Sequence, residues 1–109
     1  MYKKGTVILV PFPFTDLSGN KVRPAVIISN GKIGKDVVVV FVTSQARVTG
    51  GHVVSVQPTE ENGLKVPSKI ICAKIATVEA KIVLGELGSL SETDMTAVDT
   101  ELRQALGLL

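Results

Sequence analysis

The sequence has no tryptophan, one tyrosine, three phenylalanines, one histidine and one cysteine in 109 residues. Each shortage removes a class of chemistry. A single histidine, His52, excludes within one chain a ribonuclease that works through two imidazoles. A lone cysteine cannot form an intrachain disulfide, so the chain is no disulfide scaffold and suits a reducing compartment. Cys72 lies inside Ile70-Ile71-Cys72-Ala73, a setting for a buried, inert thiol rather than a nucleophile. One histidine, one cysteine and no clustered carboxylates leave no zinc-ligand spacing, so no metal is expected. The glycines at 50, 51, 85 and 88 lack the spacing and following helix of a phosphate loop. Glu60 and Glu61 fall in a polar turn. No apolar run nears the ~20 residues that span a bilayer, and Met1-Tyr2-Lys3-Lys4-Gly5 has no signal-peptide core behind it. The expectation is a cytoplasmic protein with no membrane contact and no cofactor.

What is present is sheet-forming material. Val and Ile supply 25 residues, whose β-branched side chains suit pleated surfaces, and ten Gly and five Pro punctuate them. The length matches one domain over residues 1–109. Strands are predicted at 6–10, 25–29, 37–42, 52–57 and 68–77, with Pro24 at a strand start or on an edge because it cannot donate to a ladder. A last short strand is expected around Ile82-Val83-Leu84 and Leu87, broken by Gly85 and Gly88. The period then changes. Met95, Val98, Leu102 and Leu106 recur at helical spacing, Ser91 is a suitable N-cap and Gly107 a suitable stop. The fold class expected is mainly β with a C-terminal α-helix: a small antiparallel barrel carrying the helix.

Net charge is only +2, but residues 1–57 hold seven Lys or Arg against two acids, and residues 58–109 hold five against eight. A basic half hints at a polyanion-binding face. Lys21-Val22-Arg23-Pro24 delivers two cations at a strand entrance, and Pro24 biases Arg23 toward extended backbone. An arginine so held can present its planar fork to a phosphate. The greasy third strand ends in Thr43-Ser44-Gln45, hydroxyls that either bond a phosphate oxygen or cap the strand.

Gly5-Thr6-Val7-Ile8-Leu9-Val10, Val22-Arg23-Pro24-Ala25-Val26-Ile27-Ile28-Ser29 and Val42-Thr43-Ser44 resemble the MazF/PemK family of toxin endoribonucleases. The similarity continues through Gly63-Leu64-Lys65-Val66-Pro67-Ser68-Lys69-Ile70, Ile75-Ala76-Thr77-Val78 and the helical segment. It implies an SH3-like barrel, a homodimer, metal-independent cleavage of single-stranded RNA at short motifs, and an acidic antitoxin partner covering the RNA-binding surface. It also implies catalytic roles for Arg23 and Thr43; the neighbouring hydroxyl of Ser44 is a reserve candidate. RNA contacts are implied for Phe14, Thr15, Asp16, Ser18, Lys65 and Ser68, and are expected also of Lys21, Gln45 and Lys74. Where relatives often read Gln-Ile-Arg-Thr, this chain has Lys74-Ile75-Ala76-Thr77, so one family arginine is missing and Lys74 replaces part of its charge. The same barrel also serves toxins that bind gyrase and cleave nothing, and a plain nucleic-acid-binding barrel would use the same basic face.

Metal-free RNA cleavage turns the 2′-hydroxyl against its own phosphate. Arg23 suits the crowded, negatively charged phosphorane, because a preorganised cation aimed at developing charge is often the largest catalytic term. A guanidinium is ill suited to proton transfer, since it keeps its charge in proteins, but the resemblance implies an acid/base part for such an arginine, so both roles stand open for Arg23. Thr43 can donate to a nonbridging oxygen or position the 2′-hydroxyl. As a residue type histidine is the obvious base, but His52 follows two glycines at a strand start and reads as structural. Phe12 and Phe14 offer stacking faces to unpaired bases or pack in a core.

Overall fold

A computed structural model of the chain describes residues 2–11 and 21–109. The β-branched runs form β1 (Thr6–Pro11), β2 (Val22–Ile27), β3 (Asp36–Thr43), β4 (Val53–Val56) and β5 (Ser68–Glu79). A 3-10 turn, Ala80–Ile82, leads to β6 (Gly85–Ser89), and α1 (Glu92–Leu106) ends the chain. All pairings are antiparallel, in the order β4-β5-β3-β2-β1-β6, and the sheet curls into a half-barrel. Alternation along the strands buries both of its faces. Val7, Val26, Val40 and Val42 join Ile70, Val98 and Leu102 in one cluster, while Ile8, Ala25, Ile27, Val39 and Phe41 form a second.

Among the described strands the largest register shift is on β5. Val40 pairs with Ile75, but the next residue, Phe41, pairs with Ile71, so Cys72, Ala73 and Lys74 are extra residues on β5. A bulge of this kind bends the strand and re-aims its side chains. Below it, Ile71, Ile70 and Lys69 pair with β4 as well as β3, and Ser68 pairs with β4 alone.

No β4–β6 pairing closes the barrel among the described residues; the loop after β4 bridges the gap. Asn62, 1% exposed, pins that loop: its Oδ1 accepts from the Thr59 and Leu64 amides at 3.0 and 2.9 Å, and its Nδ2 donates to the Gln57 carbonyl at 2.9 Å. The Ser89 amide on β6 then donates to the Glu61 carbonyl at 2.7 Å. Glycine permits this approach. A Cβ at Gly88 would overlap the Glu61 carbonyl oxygen, and one at Gly63 (φ +69) would overlap the Leu87 carbonyl oxygen. The expectation that Gly85 and Gly88 break the last strand is therefore corrected: both lie inside β6, and Gly88 is there for contact rather than for a turn.

The second strand also starts earlier than residue 25. Pro24 lies within β2, opposite Leu9, but pairing with β3 begins only at Ala25, so the proline sits where β2 has one partner strand. The helix keeps both expected ends. Ser91 Oγ accepts from the Asp94 amide at 3.1 Å, and Gly107 (φ +69) closes the C-terminus, with the Gly107 and Leu108 amides reaching the Gln104 and Arg103 carbonyls. Its apolar face is shorter than expected: Val98 and Leu102 are buried, whereas Leu106 is 54% exposed.

Candidate functional site

Arg23 stands in β2 opposite Val10, two residues before β2 gains β3 as a second neighbour. The extended backbone that Pro24 demands of it is the strand itself. Beside it β3 ends at Thr43, opposite Lys69 of β5. Between these two strand ends opens a cleft of about 210 Å³, lined by Arg23, Phe41, Val42, Thr43, Gln45, Val48, Ile71 and Lys74. Lys74 reaches it from the β5 bulge, so that irregularity brings a third functional group to the site. A second cleft, about 310 Å³, opens beside Arg23 between Leu9, Pro24, Val42, Leu87 and the segment Gly63 to Ser68, with Ser44 and Lys65 on its walls. Arg23 lines both clefts.

The charge on these walls has one sign. Arg23 and Lys74 line the first cleft, Arg23 and Lys65 the second, and no described lining residue of either is a carboxylate. Lys69 does a different job. Its Nζ donates to the Ala46 and Val48 carbonyls at 2.8 and 2.6 Å, tying the loop after β3 to β5 and holding Val48 at the cleft wall. Thr43 Oγ1 accepts from the Gln45 amide at 3.2 Å. The hydroxyl thus caps the strand end, and because it does so as an acceptor, its own O–H is left for another oxygen. Ser68 is 7% exposed and donates to the Val66 carbonyl at 2.9 Å, shaping the loop from inside.

The structure gathers most of the sequence candidates it describes. Arg23, Thr43, Gln45 and Lys74 share one cleft; Arg23, Ser44, Lys65 and Ser68 share the other. Lys21 is exposed at the entrance to β2. Phe14, Thr15, Asp16 and Ser18, with Phe12, lie outside the described residues. His52 belongs elsewhere: its Nδ1 lies 3.1 Å from Glu101 Oε1 on α1, and its φ of 66° reflects a tight turn into β4. Cys72 is fully buried, and burial, with the Glu101 carboxylate adding to it, pushes its thiol up to about 11. The apolar walls, Leu9, Val48, Ile71 and Leu87, were not foreseen as site residues. They come from four separate chain segments and carry no local signal beyond hydrophobicity.

Solved structures with this architecture include endoribonucleases. The chain is similar to a mycobacterial endoribonuclease in complex with its cognate antitoxin, at 27% identity and a TM-score of 0.77 over 98% of this chain and 96% of that one. A second mycobacterial endoribonuclease is also 27% identical, with a TM-score of 0.74 over 97% and 91% of the two chains. MazF from Deinococcus radiodurans superposes with a TM-score of 0.77 over 97% and 96% at 18% identity, a likeness of fold. No curated protein matches in sequence. Residues 3–106 match the family model of PemK-like, MazF-like toxins of type II toxin–antitoxin systems. With that match running through both clefts and the helix, the chain belongs to the PemK-like, MazF-like toxin family.

Proposed function

We propose that this toxin is a metal-independent endoribonuclease that cuts single-stranded RNA, mRNA included, at short sequence motifs by attack of the RNA's own 2′-hydroxyl in the Arg23–Thr43 cleft. The observation that carries this reading is the meeting of Arg23, Thr43 and Lys74 in one cleft with no described carboxylate on its walls. A polyanion is attracted there, and the phosphorane that forms during attack carries more charge than the phosphate it came from. Arg23, common to both clefts, stabilises that charge, and its fork can hold two nonbridging oxygens at once. The Thr43 hydroxyl donates to one of those oxygens or orients the 2′-hydroxyl, with Ser44 in reserve on the second cleft. Gln45 and Lys65 grip the flanking nucleotides, Ser68 shapes the loop that carries Lys65, and Lys21 stands at the entrance. Single strands are the natural substrate, because bases held in a duplex cannot be splayed into such clefts and read.

The partners follow from the same charge. An acidic segment of a cognate antitoxin laid over these cations displaces RNA, and a homodimer brings two such sites together in the cytoplasm. Among the described residues no helix is long and apolar enough to cross a membrane.

The test is incubation of the purified protein with a long RNA in excess EDTA, followed by mapping of the cut ends. Cleavage persists and leaves a 2′,3′-cyclic phosphate beside a 5′-hydroxyl. A substrate with one 2′-deoxy sugar on the 5′ side of the cut binds but is not cut there. Activity lost in EDTA and restored by a divalent ion defeats the metal-independent reading. Cutting of the deoxy substrate points instead to water as the nucleophile.

A further inference from the structure

The proposed reaction needs a proton for the departing 5′-oxygen, and the residues already given roles do not supply one well. Arg23 holds its proton too tightly, since a guanidinium stays charged in proteins. The Thr43 hydroxyl and the Gln45 amide are far weaker acids than an ammonium. The remaining described residues on that cleft, Phe41, Val42, Val48 and Ile71, are apolar. This leaves Lys74, an ammonium set on the wall of the same cleft as Arg23 and Thr43 by the three-residue bulge of β5. Lysine is an established general acid and base when positioned at a reacting atom. The other nearby lysine, Lys65, lines the neighbouring cleft, whose walls include Ser44 but not Thr43.

We propose that Lys74 is the general acid of this toxin, an inference that rests on the endoribonuclease reading above. The 2′-oxygen bonds to phosphorus as its proton passes to solvent water. The bond from phosphorus to the 5′-oxygen breaks, and its electron pair stays on that oxygen. Lys74 Nζ gives the oxygen a proton, is left as a neutral amine, and is reprotonated by solvent water. Arg23 carries the phosphorane's charge without changing its own protonation. Two residues beyond Lys74, Ala76 packs against the second hydrophobic cluster, so the cation of this stretch stands on the bulge itself.

The decisive probe is an RNA in which sulfur replaces the 5′-oxygen at the cut site, because a thiolate leaves without being protonated. The parent cuts both linkages. Lys74→Gln cuts the natural linkage about 100-fold or more slowly, the usual scale of a lost general acid, yet cuts the sulfur linkage like the parent. Lys74→Arg fails in the same selective way, because it restores charge but not an available proton. Lys65→Gln, a binding control, slows both linkages alike. Loss of both linkages in Lys74→Gln, or natural cleavage retained in Lys74→Gln or Lys74→Arg, overturns the assignment and leaves Lys74 as charge alone. A parent that cuts neither linkage is a different result, and it sinks the endoribonuclease reading along with this one.

Discussion

At the residue scale, one arginine lines both clefts and carries the proposed mechanism. Arg23→Ala removes the cation that faces the developing charge, and a loss of roughly 100- to 1,000-fold in cleavage rate is expected, the range seen when one preorganised donor is deleted. Arg23→Lys keeps the charge but loses the fork, so most activity goes while the fold stays. Thr43→Val follows with a smaller loss. Single-turnover cleavage alongside circular dichroism separates these effects from unfolding, and an Arg23→Ala protein that folds and cuts like the parent removes Arg23 from the site. Cys72 offers a check on burial instead of catalysis. Its thiol is held up at about 11 against an ordinary value near 9.0, chiefly by burial. The unfolded chain releases this proton earlier than the folded one, so the Cys72 contribution is fully present below pH 9 and is lost as pH rises from 9 to 11. Denaturant midpoints across that window fall more steeply for the parent than for Cys72→Ala, and thiol reagents label native Cys72 only as fast as the protein opens.

At the element scale, the strands and the helix were largely legible because each announces itself locally. Val37 to Val42 is too short and too β-branched to be anything but a strand, and Ser91 and Gly107 bracket the helix in sequence as they do in space. Arg23 and Thr43 were legible for a different reason, the Arg-Pro constraint and the polar strand end read with the family resemblance. What could not be read were features set by distant partners. Gly88 looks like a strand breaker until the Glu61 carbonyl lies against it, 27 residues earlier in the chain. The bulge that delivers Lys74 exists only in the register of β5 against β3, and no local motif marks it. Gly88→Ala forces the loop at Glu61 away from β6, costing about 1–3 kcal/mol as other overpacked sites do. Because the same loop continues into Lys65 and Ser68 on the second cleft, RNA binding weakens along with thermal stability. A Gly88→Ala protein as stable as the parent shows that the loop does not close the barrel.

At the scale of the whole molecule, the charge split between the two halves of the chain is a poor map of where the cations gather. The fold places β5, from the acidic half, between β3 and β4, and so sets Lys65 and Lys74 beside Arg23 from the basic half. Four of the acidic half's carboxylates, Glu92, Asp94, Asp99 and Glu101, are instead drawn onto α1, which packs on β4 and β5. The cations at the clefts are few and specific, and this can be measured through salt. Three phosphate contacts, one each for Arg23, Lys65 and Lys74, release enough counterions from a single strand to give a log–log slope of about −2 for RNA affinity against salt, at ~0.7 per contact. Lys65→Gln makes that slope shallower by about 0.7 and weakens binding similarly across sequences. A slope near zero means that RNA is not held by these cations, whatever cuts it. An acidic antitoxin segment using the same cations inherits the same dependence, so RNA and antitoxin exclude one another most strongly in low salt. If both bind together without mutual weakening, the antitoxin covers some other surface and inhibits by a route that leaves Arg23, Lys65 and Lys74 open to RNA.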